Sequence, residues 1–482
     1  MINLRKIFNF IGFMLILNGI FMLPGVLFSL YYGDNDVWVL TGSGIGTSLL
    51  GFLIYWFTRG GTTEIKKRDG YIVVSLGWIV MSLFGAIPFV IHGSIPSYTD
   101  AFFETMSGFT TTGASILNNI EELPHGLLFW RSVTQWIGGM GMIVLSLAIL
   151  PVLGIGGMQL FVAEVPGPTK DKIHPRIRET AKRLWGIYVI FTVIETGLLM
   201  LGGMNLFDAV CHSFTTMATG GFSTRQDSVA FYDSAFIDYV IILFMFLAGV
   251  NFSLHYHYLH RNWDAVLKND EFKFYFRVTL FFAIVVAIPL IINQYAGVEK
   301  SFRDSLFQVV SIITTTGYVT ADYEAWGSFF GVLFFLLLFV GGCAGSTGGG
   351  IKIVRHFLLI KNSILELRRL VHPRAVIPVR FNKSSVPQEI IYNILAFFLF
   401  YVIIFVFGTL VMSLIGLDFK SAMGSVATSL GNVGPAIGSV GPVSNFAHIP
   451  DFGKWFLSFL MLLGRLELFT ILILFSPSFW KR

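Results

Sequence analysis

The sequence predicts an all-α polytopic membrane protein. Its plan is ten transmembrane helices with four re-entrant pore helices, set as fourfold pseudo-symmetric helix–pore-loop–helix repeats around one pathway. Three observations lead there. Of 482 residues 54% are hydrophobic and only 13% charged, with a mean hydropathy of +0.72. Ten apolar runs are long enough to cross a bilayer. Four shorter segments between them share one residue pattern.

The composition excludes a soluble body. A soluble globular chain carries about 25% charged residues, so here the apolar excess must face lipid. Gly and Phe each occur 50 times: lipid solvates the second, and close packing or irregular backbone needs the first. Cys211 and Cys343 both lie in apolar stretches and imply no disulfide framework. Arg5 and Lys6 precede an apolar run over 7–32. That run is longer than a signal-peptide core and long enough to span, so it reads as a retained helix.

The ten runs cover about 7–32, 37–58, 70–92, 125–150, 183–203, 235–258, 273–294, 326–360, 389–415 and 452–476. Basic residues orient them. Arg59, Lys66, Lys67 and Arg68 follow the second run; Lys170, Lys172, Arg176, Arg178, Lys182 and Arg183 lie between the fourth and fifth; Arg261, Lys268, Lys273 and Arg277 follow the sixth; Lys361, Arg368, Arg369, Arg374, Arg380 and Lys383 follow the eighth. The intervening loops are poor in Lys and Arg, as at 33–36 and 416–418. The positive-inside rule then places both termini in the cytoplasm, and ten spans satisfy that parity.

On the opposite side four segments align without gaps: DAFFETMSGFTTTG over 100–113, DAVCHSFTTMATGG over 208–221, DSLFQVVSIITTTG over 304–317 and SAMGSVATSLGNVG over 421–434. This is an internal repeat with a period of about 100 residues. The first position (Asp100, Asp208, Asp304, Ser421) is a helix-capping type. The ten or so residues that follow make a half-bilayer helix. The fifth position (Glu104, His212, Gln308, Ser425) and the eighth (Ser107, Thr215, Ser311, Thr428) are polar in every copy, so they face protein or water. Four chemistries at the fifth position fit helix support better than proton transfer. Each segment ends in a Thr/Gly stretch whose exposed carbonyls are tolerated only inside protein or along a water-filled cavity. Four such stretches around one axis would present rings of oxygens able to replace a cation's hydration shell. The negative C-terminal ends of the short helices would favour the cation further.

This pattern resembles the Trk/Ktr/HKT superfamily of potassium transporters. The two extra N-terminal helices, the loop with Pro166, Gly167, Pro168 and Pro175 to Thr180, and a glycine-rich eighth run resemble the Trk-type membrane subunit of bacteria. The resemblance implies a potassium selectivity filter at Thr111, Thr112 and Gly113; Thr219, Gly220 and Gly221; Thr315, Thr316 and Gly317; and Asn432, Val433 and Gly434. Relatives with serine at the first of these glycines tend toward sodium, and a sodium-permeable or weakly selective channel is the alternative reading. The resemblance further implies an intramembrane gating loop over 341–350, with Gly345, Gly348, Gly349 and Gly350 in it, approached by Arg465 from the last helix. It implies transported potassium in place of a cofactor, a homodimer embedded in lipid of the bacterial inner membrane, and a cytoplasmic nucleotide-binding regulatory subunit; it implies no nucleic acid partner. The basic loops offer surface for that subunit, and orientation alone also produces basic loops. The chain then divides into an N-terminal helix pair (1–69) and pore repeats at 70–150, 151–260, 261–383 and 384–482.

Other features read more plainly. Arg465 lies deep in an apolar run, with Glu467 or the free carbonyls of the glycine loop as candidate partners. Arg131 and Glu195 carry no motif. His255, His257 and His260 do not share one helix face and read as interfacial aromatics. The stretch 345–352 lacks the Gly-Lys-Ser/Thr of a phosphate loop. Gly42, Gly44 and Gly46 sit in a membrane run, which is no place for a dinucleotide fingerprint. No convergent nucleophile and base appear, so the sequence does not read as an enzyme.

Overall fold

The computed structural model describes residues 2–60, 67–144 and 173–481. Helices α1 (Leu4–Tyr32) and α2 (Val37–Phe57) form a hairpin. Gly33 ends α1 at φ +77° and its amide returns to the Ser29 carbonyl, a left-handed cap that glycine adopts without a Cβ clash. The two helices then meet backbone to backbone. A Cβ on Gly19 would stand 2.3 Å from the Gly44 carbonyl oxygen, and one on Gly51 2.7 Å from that of Gly12. Small residues permit this approach where lipid supplies no hydrophobic drive.

Four repeats follow. The first holds α3 (Lys67–Gly85), α4 (Ile87–His92), the short α5 (Tyr98–Phe109) and α6 (His125–Val144). The second holds α7 (Ile173–Leu201), the short α8 (Leu206–Met217), α9 (Ala235–Ala248) and α10 (Phe252–Leu259). After α11 (Trp263–Leu267) the third holds α12 (Asp270–Ile292), the short α13 (Val298–Ile313), α14 (Ser328–Leu337) and α15 (Ile353–Val371). The fourth holds α16 (Gln388–Leu414), the short α17 (Phe419–Gly431), α18 (Asp451–Arg465) and α19 (Phe469–Leu472). The short helices are the centre of the molecule: every residue from Ala101 to Phe109 of α5 is buried. The longer helices turn apolar side chains such as Leu27, Trp38, Leu399 and Leu414 outward. Six helices among the described residues are long and apolar enough to cross a membrane, and up to eight if each bent pair is one span.

The structure departs from the sequence reading at identifiable points. The run 235–258 is bent by 103° between α9 and α10; Gly249 closes one helix and the Asn251 side chain caps the next, accepting from the Ser253 amide at 2.8 Å. The run 452–476 bends by 109° after Arg465, where Glu467 and Leu468 take φ of +55° and +51°. The run 326–360 has no helix between Leu337 and Ile353. The short helices also begin earlier than their assigned caps. Ser97, Asn205 and Asp418 cap α5, α8 and α17, accepting from the amides of Asp100 (3.4 Å), Asp208 (2.7 Å) and Ser421 (3.2 Å). Asp304 lies inside α13, which starts at Val298. An acidic residue in the first turn complements the helix dipole, so in sequence it looks like the cap itself. The all-α expectation also misses one small hairpin, β1 (Arg380–Phe381) with β2 (Ser384–Ser385). Asn382 and Lys383 turn it at positive φ. Reciprocal bonds between Asp270 and Asn382 (2.8 and 2.9 Å) tie it to α12. Lys66, Pro166, Gly167, Pro168, Lys170 and Lys172 lie outside the described residues.

Candidate functional site

Each short helix ends in the same turn. Thr111, Thr219, Thr315 and Asn432 take positive φ of 51°, 53°, 61° and 54°. The following amides of Thr112, Gly220, Thr316 and Val433 return to the eighth-position carbonyls of Ser107, Thr215, Ser311 and Thr428 at 2.8, 2.8, 2.8 and 3.1 Å. In the first three copies the left-handed residue's own amide bonds the carbonyl three back, which completes the Schellman geometry that normally carries glycine. A β-branched threonine there is strained by about 1–3 kcal/mol. Asparagine tolerates the conformation better, so the divergent fourth copy keeps the turn although it loses the threonine.

The four glycines one turn further on form a closed ring. A Cβ on Gly113 would stand 2.1 Å from the Gly220 carbonyl oxygen; on Gly221, 2.0 Å from that of Thr316; on Gly317, 2.0 Å from that of Val433; on Gly434, 3.0 Å from that of Thr112. Each repeat's glycine thus abuts the carbonyl just before the next repeat's glycine, and the fourth closes on the first. Their φ values of 81°, 74°, 82° and 101° demand glycine independently. Four segments of like conformation therefore close into a ring with a carbonyl of each pressed against a glycine of its neighbour, an arrangement that would suit a desolvated cation.

Side chains brace the ring. Thr110 and Thr112 share a hydroxyl hydrogen bond of 2.8 Å, and Thr314 and Thr316 do the same at 2.8 Å. Asn432 Nδ2 donates to Thr112 Oγ1 (3.0 Å) and to the Met461 carbonyl (2.8 Å), joining the fourth repeat to the first. The fifth-position residues hold the chain leaving the ring. Glu104 accepts from Ser115 Oγ (3.0 Å) and the Ile116 amide (2.9 Å), His212 Nε2 pairs with Ser223 Oγ (3.0 Å), and Gln308 Nε2 donates to Thr320 Oγ1 (3.3 Å). Ser425 is too short and bonds only the Ala422 carbonyl (3.1 Å). Arg131 from α6 donates to Glu104 (2.7 Å) and to the Ser223 carbonyl (2.9 Å), a buried pair bridging repeats one and two.

The glycine loop lies against the same ring. Gly349 N donates to the Thr315 hydroxyl at 2.7 Å. A Cβ on Gly349 would meet the Gly431 carbonyl oxygen at 2.8 Å, and one on Gly348 the Thr314 carbonyl oxygen at 2.9 Å. Two buried cations hold the loop's own carbonyls. Arg465 Nη1 donates to Thr347 O (2.8 Å) while its Nη2 reaches Gly138 O (2.9 Å), and Lys352 Nζ donates to Gly348 O. The bend between α9 and α10 grips the loop from the other side: the Cys343 amide donates to Gly249 O (2.8 Å) and the Phe252 amide to Gly345 O (3.1 Å). Gly345 adopts φ +75° against Asn251.

The residues singled out from the sequence therefore fall into two adjoining groups. The three Thr/Gly triplets and the fourth, Asn432, Val433 and Gly434, meet in the ring, and Gly345, Gly348, Gly349, Gly350 and Arg465 lie beside it. Of the two partners considered for Arg465, the carbonyls hold, while Glu467 pairs with Arg355. Sequence reading gave Arg131 no function, met Lys352 only as the end of a stretch rejected as a phosphate loop, and did not single out Arg355. Their signal was present: each is a cation inside or at the edge of an apolar run, where a charge is expensive unless it is paired.

A family model described as TrkH, cation transport protein, matches residues 39–482. The Trk system potassium uptake protein TrkH of Salmonella typhimurium is 42% identical over 99% of this chain and all of that protein. TrkH of Escherichia coli K12 is 42% identical over the same shares. The crystal structure of the potassium transporter TrkH from Vibrio parahaemolyticus superposes with a TM-score of 0.92 at 39% identity, covering 100% of both chains.

Proposed function

The chain belongs to the TrkH family of cation transport proteins, and on that premise we propose that it takes up potassium through a pathway selected at the glycine ring and gated by the neighbouring loop. The observation that carries this reading is the closed ring of Gly113, Gly221, Gly317 and Gly434, each against the next repeat's carbonyl. Potassium exchanges water for the backbone oxygens of Thr111, Thr112, Thr219, Gly220, Thr315, Thr316, Asn432 and Val433 and of the four glycines. A negative cell interior draws it inward with about 2.3 kcal/mol per charge per 100 mV. Glycine-rich backbone over 341–350, held by Arg465, closes the path between openings.

The reading includes ten spans, with α6, the α14–α15 pair and the two bent pairs each counted as one crossing. It places both termini in the cytoplasm of a bacterial cell and the chain in the inner membrane, in line with its basic loops. Division into a helix pair and four pore repeats, a homodimeric assembly and a cytoplasmic nucleotide-binding regulatory subunit belong to the same reading, whose support is the full-length likeness to Trk system proteins. The family's transport role supports a non-enzymatic activity. The test is rubidium and sodium influx into liposomes holding the purified chain. The expected result is rubidium entry that potassium competes away and sodium does not; equal competition by the two ions would overturn the reading.

A further inference from the structure

The four copies of the ring are not braced alike. In the first and third repeats a threonine pair, Thr110 with Thr112 and Thr314 with Thr316, pins the peptide behind the glycine. In the second repeat the matching residues are Ala218 and Gly220, which carry no hydroxyl. The space is filled from another repeat. Gln135, fully buried on α6, donates from Nε2 to the Gly220 carbonyl at 2.7 Å and accepts the Phe222 amide on Oε1 at 3.0 Å. A Cβ on Gly220 would stand 2.4 Å from both Cδ and Oε1 of Gln135. Gly220 is therefore side-chain-free so that this amide can enter. The orientation of the amide is forced, because a carbonyl demands a donor and a peptide N–H demands an acceptor.

We infer that Gln135 is a positioning residue for ion selection, fixing the direction of the Gly220 carbonyl that faces Gly113. The inference rests on reading the ring as an ion filter. One side chain brackets Gly221 from both flanks and so does the work of the missing threonine pair. It also shares the Gly220 oxygen's electron density, so the second repeat offers the ion a weaker ligand than its neighbours. The ring is fourfold in backbone and unequal in field.

The experiment compares potassium and sodium influx in liposomes for the wild type, Gln135→Leu and Gln135→Glu. Leucine matches the volume and removes both bonds. Gln135→Met, made beside them, keeps the side chain's length and offers the Gly220 carbonyl no donor, whereas a buried glutamate takes a proton, can still donate to that carbonyl and serves as the control that retains both bonds. The potassium-to-sodium influx ratio is expected to fall about three- to tenfold in the leucine and methionine variants, the loss of one or two hydrogen bonds at a ligand, and less with glutamate. A role confined to folding would lower protein yield and total flux and leave the ratio alone. If the leucine variant does not assemble, the near-isosteric methionine variant decides. A wild-type ratio in whichever of the leucine and methionine variants assembles overturns the inference while leaving the filter reading intact; a wild type without preference overturns both.

Discussion

The glycine ring and the glycine loop are both irregular backbone inside the bundle, yet the turns of the ring are closed first by local bonds and the loop is held mostly by remote ones. Each turn of the ring is closed by amides of its own short helix, at Thr112 to Ser107 and Thr316 to Ser311 for example. The loop over 341–350 borrows partners from many other elements, among them Arg465 at the end of α18, Lys352 just before α15, Gly249 at the α9–α10 bend, Glu271 of α12 and Thr315 of the ring. Local bonds fix a geometry that cannot vary without unwinding a helix. Remote bonds can be exchanged one at a time. Glycine also serves different ends. In the ring each glycine both takes a positive φ and clears room for a neighbour's carbonyl, whereas in the loop the two tasks are divided: Gly345 and Gly350 take the positive φ, and Gly348 and Gly349 clear room for the Thr314 and Gly431 carbonyls.

The largest test of this contrast is within the ring. Gly113→Ser sets a Cβ 2.1 Å from the Gly220 oxygen at φ +81°. The ring must shift, and the potassium-to-sodium influx ratio is expected to drop roughly tenfold or more, given about 1–3 kcal/mol of backbone strain alone. Gly434→Ser meets the next carbonyl at 3.0 Å, so its drop is expected to be smaller despite the same chemistry. Equal losses at the two positions, measured in the same flux assay, would show that conformation and not crowding governs the ring.

For the loop the prediction has the other sign. Arg465→Ala frees Thr347 O and Gly138 O and is expected to raise cation flux by roughly tenfold, the scale of losing charge-assisted hydrogen bonds, with the ion ratio retained. Unchanged flux at unchanged expression would overturn the gating role proposed for Arg465. Lys352→Met removes one bond, to Gly348 O, and is expected to raise flux by about threefold. A fall in flux there would mean that the lysine serves conduction and not closure.

The smallest effect concerns the cap of the fourth short helix. Hydrogen bonds from the Ser421 hydroxyl and then the Ser421 amide hold the Asp418 carboxyl below its ordinary value. A depressed acid stabilises the fold above its unfolded-state value, and that contribution disappears as pH falls through the folded-state value. Asp418→Ala is expected to cost about 1 kcal/mol at neutral pH, read as a lower midpoint of thermal unfolding in detergent. The gap should close below about pH 3, beneath the ordinary aspartate range. A gap that persists in acid would assign the loss to shape instead of charge.

Much of the site was legible because it repeats. Four in-register copies exposed the fifth and eighth positions and the shared glycine: the glycine and the eighth-position carbonyl act alike in all four copies, and the fifth-position side chain holds the departing chain in the first three. The caps were displaced by one turn because Asp100 and Asp208 are N3 residues, whose charge mimics a cap. The bends at 249–251 and 466–468 were missed because hydropathy averages over them: a few residues of broken helix leave an apolar run apolar. The positive φ of Thr111, Thr219 and Thr315 was hidden for a different reason. Local preference argues against it, and only the surrounding bonds impose it.

Residue order alone determined the membrane habitat, the fourfold repeat and the residues that meet at its centre, since each of these follows from composition and period along one chain. Which carbonyl meets which glycine, that Gln135 from one repeat braces Gly220 in another, and that Arg465 holds Thr347 while Glu467 turns to Arg355 were decided only on folding. Those contacts join residues 85 to more than 300 positions apart, and their strength depends on distance and on the exclusion of water, neither of which a linear sequence contains.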